Sequence, residues 1–274
     1  MSKIESVDGT VKYLFRTEGG QQVEAVYIPE EERKTLCVST QAGCQMGCKF
    51  CLTGTKLRYN GNLTVADILG QVLHFPDLSN VVLMGEGEPM NNIDEVLRAL
   101  KVMTSDWGME WSPKRVTVST VGVIPGLKRY LEESDCHLAI SLHNPISEER
   151  TAIMPAEKAY PIAKVMELVR QYDWSHQRRV SMEYICWGGV NDDKRHADAI
   201  LELLRGMECR VNLIRFHEGA EGNFPASDEE RMVRMRDYLT AHGVTTTIRR
   251  SRGEDILAAC GMLANQLGKF WILN

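Results

Sequence analysis

The sequence predicts an α/β protein built on a parallel βα sheet or barrel, and three observations lead there. Short aliphatic and β-branched runs alternate with stretches of helical apolar spacing along most of the 274 residues. That alternation is the rhythm of parallel pairing, because parallel strands need a long crossover between them. Polar or glycine-rich residues follow one strand after another at its carboxyl end, where such sheets gather their ligands. Finally, 43% of the residues are hydrophobic, enough at this length to fill one core.

The elements follow in order. Val11–Phe15 and Val23–Ile28 flank Glu18-Gly19-Gly20-Gln21 and predict an N-terminal β-hairpin. Leu36–Thr40 predicts a short buried strand. Thr64 is a candidate N-cap for a helix with Ile68, Leu69, Val72 and Leu73 on its apolar side. Val81–Met84 predicts a strand ending in Gly85-Glu86-Gly87-Glu88-Pro89, with a helix from Ile93 to Met103 behind it. Strands over Val116–Ser119, His137–Leu142, Val180–Cys186, Val211–Ile214 and Val244–Ile248 then alternate with helices over Ile124–Leu131, Ile162–Tyr172, Lys194–Leu204 and Asp228–His242. A last helix is expected from Glu254. There is no internal repeat or linker, so the expected organisation is a hairpin extension over residues 1–33, packed on one structural domain over residues 34–274.

Composition narrows the function classes. The formal charge of -5 and pI near 5.9 do not advertise a nucleic-acid binder, whose affinity rests on phosphate neutralisation. The basic runs Arg249-Arg250 with Arg252, Arg178-Arg179 and Lys194-Arg195 each read, alone, as a solvated face. No apolar run is long enough to span a bilayer, and Met1-Ser2-Lys3 does not lead into a signal peptide. The expectation is a cytoplasmic protein without membrane contact. In a reducing compartment its eight cysteines point to metal or thiol chemistry where clustered and to burial where scattered.

The cluster is Cys44-Gln45-Met46-Gly47-Cys48-Lys49-Phe50-Cys51, a C-x3-C-x2-C loop. Structural zinc takes four closed ligands, and no second Cys/His pair motif is present. A thioredoxin-type site needs two cysteines rather than three. Three thiolates suit a [4Fe–4S] cube, and they leave one iron open for chemistry. Cys37 and Cys260 read locally as small buried residues or as reactive thiols; Cys136, Cys186 and Cys209 read as core. Spacing does not decide among roles for Glu24, Glu88 and His143.

Several runs together carry a resemblance. They are Glu24-Ala25-Val26-Tyr27-Ile28-Pro29, Gly43 through Cys51, Gly87-Glu88-Pro89, Ser119-Thr120 and Ser141-Leu142-His143. Later ones are Gly189-Val190-Asn191-Asp192, Val211-Asn212-Leu213-Ile214, and Arg252-Gly253-Glu254-Asp255 with Ala259-Cys260-Gly261. From about Gly9 to Gly268 the chain resembles the radical S-adenosylmethionine (SAM) superfamily, and within it the RNA adenine methyltransferases of the RlmN and Cfr type. The cysteine loop alone indicates the superfamily; Cys37 with Cys260 indicates the family.

The resemblance implies a partial (β/α)6 TIM-like radical SAM barrel with an N-terminal β-hairpin extension and a C-terminal strand–helix. It implies a [4Fe–4S] cluster on Cys44, Cys48 and Cys51, with SAM chelating the open iron. Gly87 and Glu88 would hold the amino end of SAM, and Ser119, Ser141, Leu142, His143 and Asn212 would line the rest of its pocket. Cys260 would carry the methyl group, Cys37 would resolve the covalent intermediate through a disulfide, and Glu24 would sit near the adenine. The implied reaction is methylation at C2 of an adenosine in 23S ribosomal or transfer RNA. Methylation at C8, or of a non-RNA acceptor, is the alternative within the class, and a metal-stabilised RNA-binding module without catalysis the alternative outside it. The implied partners are the RNA and a one-electron donor such as flavodoxin or ferredoxin, with the protein acting as a monomer. Two departures stand out: relatives carry a helical accessory domain before the hairpin, where this chain begins almost at the hairpin, and Arg215-Phe216-His217-Glu218-Gly219 stands where relatives have Pro and Asn.

Overall fold

A computed structural model of the protein describes residues 1–174, 179–217 and 224–264. Strands β1 (Ser2–Glu5), β2 (Val11–Arg16) and β3 (Gln22–Pro29) form an antiparallel meander that joins β4 (Lys34–Cys37) edge to edge. From β4 onward every pairing is parallel, through β5 (Asn80–Leu83), β6 (Val116–Thr120), β7 (His137–Ser141), β8 (Val180–Cys186), β9 (Arg210–Arg215) and β10 (Thr245–Ile248). The ten strands lie side by side in sequence order. An unclosed, sequentially wound parallel sheet with helices between its strands is a partial barrel.

The connecting helices are α1 (Leu52–Lys56), α2 (Val65–Leu73), α3 (Ile93–Thr104), α4 (Ile124–Glu133), α5 (Ser147–Ile153), α6 (Ile162–Val169), α7 (Lys194–Leu203) and α8 (Glu229–Ala241). Local chemistry starts α2 as expected: Thr64 Oγ1 accepts from the Asp67 amide at 3.2 Å while Asp67 accepts from the Thr64 amide at 3.0 Å, a capping box. Leu73 departs from expectation, being 66% exposed. At 100° per residue it lies on the face opposite Ile68. Three elements had no signal in the sequence: β1, which is mostly exposed, and the short α1 and α5. The helix expected from Glu254 is instead one 3-10 turn, Glu254–Ile256, bracketed by left-handed Gly253 and Leu257 (φ 63° and 54°). Left-handed residues end helical winding at both sides of that turn.

Register sets the functional rim. Val26 of β3 pairs with Cys37 and Pro29 with Lys34, so the first residues of β3 overhang the carboxyl end of β4. The β2–β3 turn therefore lies on the rim where the parallel strands end.

That rim is strapped by Arg150, whose side chain is fully buried. Its guanidinium donates to the carbonyls of Val121 at 3.0 Å, Ser141 at 2.8 Å and Leu142 at 3.0 Å, and it pairs with buried Glu157. One cation thus ties the ends of β6 and β7 to α5. Removing one partner of a buried pair strands the other charge without solvent. Arg150→Ala is expected to lower stability by about 3–5 kcal/mol in urea unfolding, whereas Arg129→Ala, which breaks an exposed pair, leaves the midpoint nearly unchanged. Equal midpoints for the two variants would contradict the strap.

Candidate active site

Beyond the carboxyl ends of the parallel strands lies an open cavity, in the place where such sheets gather their ligands. The cysteine loop forms one wall, with Cys44, Cys48 and Cys51 all in the lining. Backbone contacts fix the loop: the Gly43 amide donates to Glu86 Oε2 at 3.1 Å, the Lys49 amide to the Ile153 carbonyl at 3.0 Å, and the Leu52 amide to the Gly261 carbonyl at 2.7 Å. Gly43 has φ 75°, and a Cβ there would stand 2.6 Å from the Arg58 carbonyl. Only glycine fits so close an approach with positive φ.

Burial raises all three thiols, Cys44 to about 12; Coulombic repulsion from the neighbouring cysteines adds to the rise of Cys44 and Cys48, and Glu86 to that of Cys51. Three buried thiolates need cationic charge beside them, which iron supplies as it displaces the protons. Among the described residues no Cys, His, Asp and Glu set converges on a single metal-ion position. A cluster asks something else of its ligands, one thiolate per iron on separate corners of a cube. The donor set fits a [4Fe–4S] cluster.

Five of the expected SAM residues line the same cavity: Gly87, Glu88, Ser119, Ser141 and His143. Glu88 is buried, and burial raises its carboxyl against hydrogen bonds from Thr120, Val121 and Met90. Its oxygens accept from the Met90 amide at 3.0 Å and the Val121 amide at 2.9 Å, so its position is set by backbone while lone pairs remain. Gly87 (φ 98°) packs so tightly that a Cβ would stand 2.5 Å from Gln41 Cβ. His143 is also left-handed (φ 51°). Its Nδ1 accepts from the Ile185 amide at 3.2 Å, and burial, then Arg150, depresses the imidazole to about 3. A neutral ring edged against Phe50, 4.7 Å between centroids, results.

Two expected pocket residues are not in the lining. Leu142 has no exposed surface and belongs to the core; it serves the rim through its carbonyl, which Arg150 holds. Asn212 lies one layer back, donating to Glu183 Oε1 at 2.8 Å and accepting from Thr247. Glu183 lines the cavity instead, paired with Arg249 at 3.2 Å. Neither had a signal beyond a charge in a strand and a basic run.

Cys260 is exposed and lines the cavity, opposite the loop in sequence but adjacent in space. Its segment, residues 253–264, has little regular structure and is held from two sides. On one side the Gly253 amide donates to Asp8 at 3.0 Å, Ser6 Oγ to Asp255 at 2.5 Å, Lys12 Nζ to the Leu257 carbonyl at 3.3 Å and the Ala264 amide to Glu24 Oε2 at 2.9 Å. On the other, Thr53 Oγ1 of α1 donates to the Leu263 carbonyl at 2.8 Å, and Leu52 packs with Ala259 and Met262. Cys37 packs against Ile256, Ala258 and Leu263 of this segment, which brings it beside Cys260 although it does not line the cavity. Burial pushes the Cys37 thiol up to about 12, with Cys260 adding to the rise and Arg249 opposing it. Both thiols are free, not disulfide-bonded, in this structure.

Glu24, expected near the adenine, lies among the first residues of β3 on the same rim. It has no exposed surface, does not line the cavity, and pairs with Lys12 at 3.1 Å. It holds Ala264 rather than facing the open space.

A partial barrel with a three-cysteine loop at the end of its first parallel strand defines a radical SAM enzyme, and the radical SAM superfamily model matches residues 38–201. A dual-specificity RNA methyltransferase RlmN of Syntrophobacter fumaroxidans is 41% identical over 98% of this chain and 80% of its own length. A Bacteroides thetaiotaomicron protein named as a probable enzyme of that kind is 55% identical over 96% of this chain and 77% of its own. The crystal structure of a radical SAM methyltransferase from Sphaerobacter thermophilus superposes with TM-score 0.90 at 38% identity, covering 96% of this chain and 80% of that one. The chain belongs to the RlmN family of radical SAM RNA methyltransferases, whose cofactors are a [4Fe–4S] cluster and SAM.

Protein purified without oxygen is expected to be brown, with iron and sulfide each near four per chain. Cys48→Ala should lose the colour and most of the iron by absorbance and metal analysis; stoichiometric zinc in colourless wild-type protein would contradict the cluster assignment.

Proposed function

We propose that the protein methylates C2 of an adenosine in ribosomal (23S) or transfer RNA, with Cys260 as the methyl carrier and Cys37 as the resolving thiol. The placement of Cys260 in the cavity beside the cysteine loop, with Cys37 packed against its segment, supports this most directly. When bound, the cluster and SAM supply a methyl donor and a one-electron route to a 5′-deoxyadenosyl radical. A one-electron donor protein such as flavodoxin or ferredoxin completes the requirement.

Adenine C2 lies between two ring nitrogens and is electron-poor, so it does not attack an electrophilic methyl group. A thiolate does. Cys260, exposed to the cavity, would receive the methyl group and yield one of that group's hydrogen atoms to the radical; as the carbon bonds to C2, the ring would give up the C2 proton and one electron. Arg249 faces both thiols electrostatically, and Cys260 first and Glu183 after it hold the guanidinium firmly charged. It is the cation on hand to favour the Cys37 thiolate. Cys37 then attacks the Cys260 sulfur: the S–S bond forms, the sulfur–carbon bond to the RNA breaks, and the carbon keeps the electron pair and takes a proton. Gly87 and Glu88 at one end, with Ser119, Ser141 and His143 along the wall, would orient SAM.

Incubation with bulk transfer RNA and ribosomal RNA, followed by nucleoside mass spectrometry, should yield 2-methyladenosine. Cys260→Ala should abolish the product without forming an adduct, and Cys37→Ala should accumulate a protein–RNA adduct. Product formation by Cys260→Ala would overturn the carrier role, and 8-methyladenosine would move the acceptor position.

A further inference from the structure

A second recess lies one residue from the cluster loop, between the β2–β3 turn and the chain leaving the loop. Arg16, Gln21, Gln22, Gly43, Arg58 and Asn60 line it. We propose that this recess binds a phosphate of the RNA backbone, and that it is how an acidic protein grips the strand whose adenosine enters the cavity. The inference rests on the RNA reading above.

Three observations carry it. First, Arg16 and Arg58 are the charged groups in its lining, and neither makes an ion pair with the described residues. By contrast Arg129, Lys164, Lys194, Arg195, Arg205 and Arg234 on or beside the outer helices each meet a carboxylate, and the other cations without an ion pair to the described residues, such as Lys3, Arg33 and Lys49, do not line this recess. In a chain of net charge -5, two uncommitted guanidiniums facing one recess are a local concentration of positive potential. Guanidinium is also the donor best matched to phosphate oxygens.

Second, the recess is built rather than incidental. The Ala42 amide donates to the Gly61 carbonyl at 3.0 Å and the Asn60 amide to the Ala42 carbonyl at 2.8 Å. Gln21 Nε2 reaches the Asn60 carbonyl at 2.6 Å, and Thr17 Oγ1 reaches Gln21 at 3.1 Å. The turn, the loop entry and the loop exit are thus one hydrogen-bonded body, which fixes the backbone that carries Arg16 and Arg58.

Third, the location is right. Arg16 pairs with Gln22 across the hairpin, and β3 overhangs the carboxyl end of β4, so both arginines stand on the rim that holds the catalytic cavity. Gly43 lines the recess and Cys44, its neighbour in sequence, lines the cavity.

The test uses cluster-loaded protein and fluorescently labelled bulk transfer RNA, with binding followed by anisotropy between about 50 and 200 mM salt. Arg16→Ala/Arg58→Ala is expected to weaken binding about tenfold and to reduce the log–log salt slope by about 2, one for each phosphate no longer neutralised. Arg16→Lys/Arg58→Lys should restore much of the affinity, and iron content with melting temperature should match wild type in both. Unchanged transfer-RNA affinity and slope in the alanine variant would overturn the assignment, even if inorganic phosphate binding fell. Wild-type protein that neither binds nor methylates RNA would sink the underlying functional reading instead.

Discussion

The structure depends on a clamp between the two ends of the chain. Lys12 and Glu24, both on the first antiparallel strands and both buried, pair with each other and reach Leu257 and Ala264. A buried ion pair gains little net stability over well-packed apolar residues. Its value here is placement: the segment it holds has too little regular structure to hold itself, and that segment carries Cys260. Asp8 and Asp255 add further ties at the other end of the same stretch. Partial burial works to raise the Asp8 carboxyl, but hydrogen bonds from Thr10 and Gly253 outweigh it and bring the group down to about 2. The N-terminal strands are therefore part of the active-site frame rather than an appendage to the barrel.

The cavity is organised on the same logic of fixed backbone and uncommitted side-chain chemistry. Glu88, His143 and the cysteine loop are each held by main-chain hydrogen bonds. What they leave facing the open space are thiols, a carboxylate and a neutral imidazole, each largely buried. Such a setting resists charge until a cationic cofactor arrives. Arg150 beneath the rim and Arg249 on the wall divide the positive charge, one sealed into the scaffold and one facing Cys260 and Cys37.

The barrel was legible in the sequence because parallel strands and amphipathic helices write strong, repeating patterns. The three-cysteine loop was equally legible, since its ligands are local. Thr64 announced its helix as an N-cap, and the structure completes it with Asp67 as a capping box. What the sequence concealed depends on distant contacts. Glu183 and Arg249 look like ordinary charges until β8 and β10 bring them to one wall. Glu24 looked like a group for the substrate, and the fold gives it a buried partner in Lys12 and a role in holding Ala264. The turn at Glu254 had helical composition, but Gly253 and Leu257 take left-handed conformations and the chain is pinned by tertiary hydrogen bonds instead. The arginines of the recess carried no motif, and only the fold brings the two into one lining.

The clamp is tested most directly by the methyl occupancy of Cys260, read by peptide mass spectrometry in protein isolated from cells. This step precedes any contact with adenine, so it separates a placing role for Glu24 from a role at the substrate. Lys12→Met/Glu24→Leu, which replaces the pair by apolar groups of similar size, should keep iron content while methyl-Cys260 falls at least several-fold below wild type. Full methylation of Cys260 in that variant, with RNA methylation alone lost, would contradict the clamp and return Glu24 to the adenine.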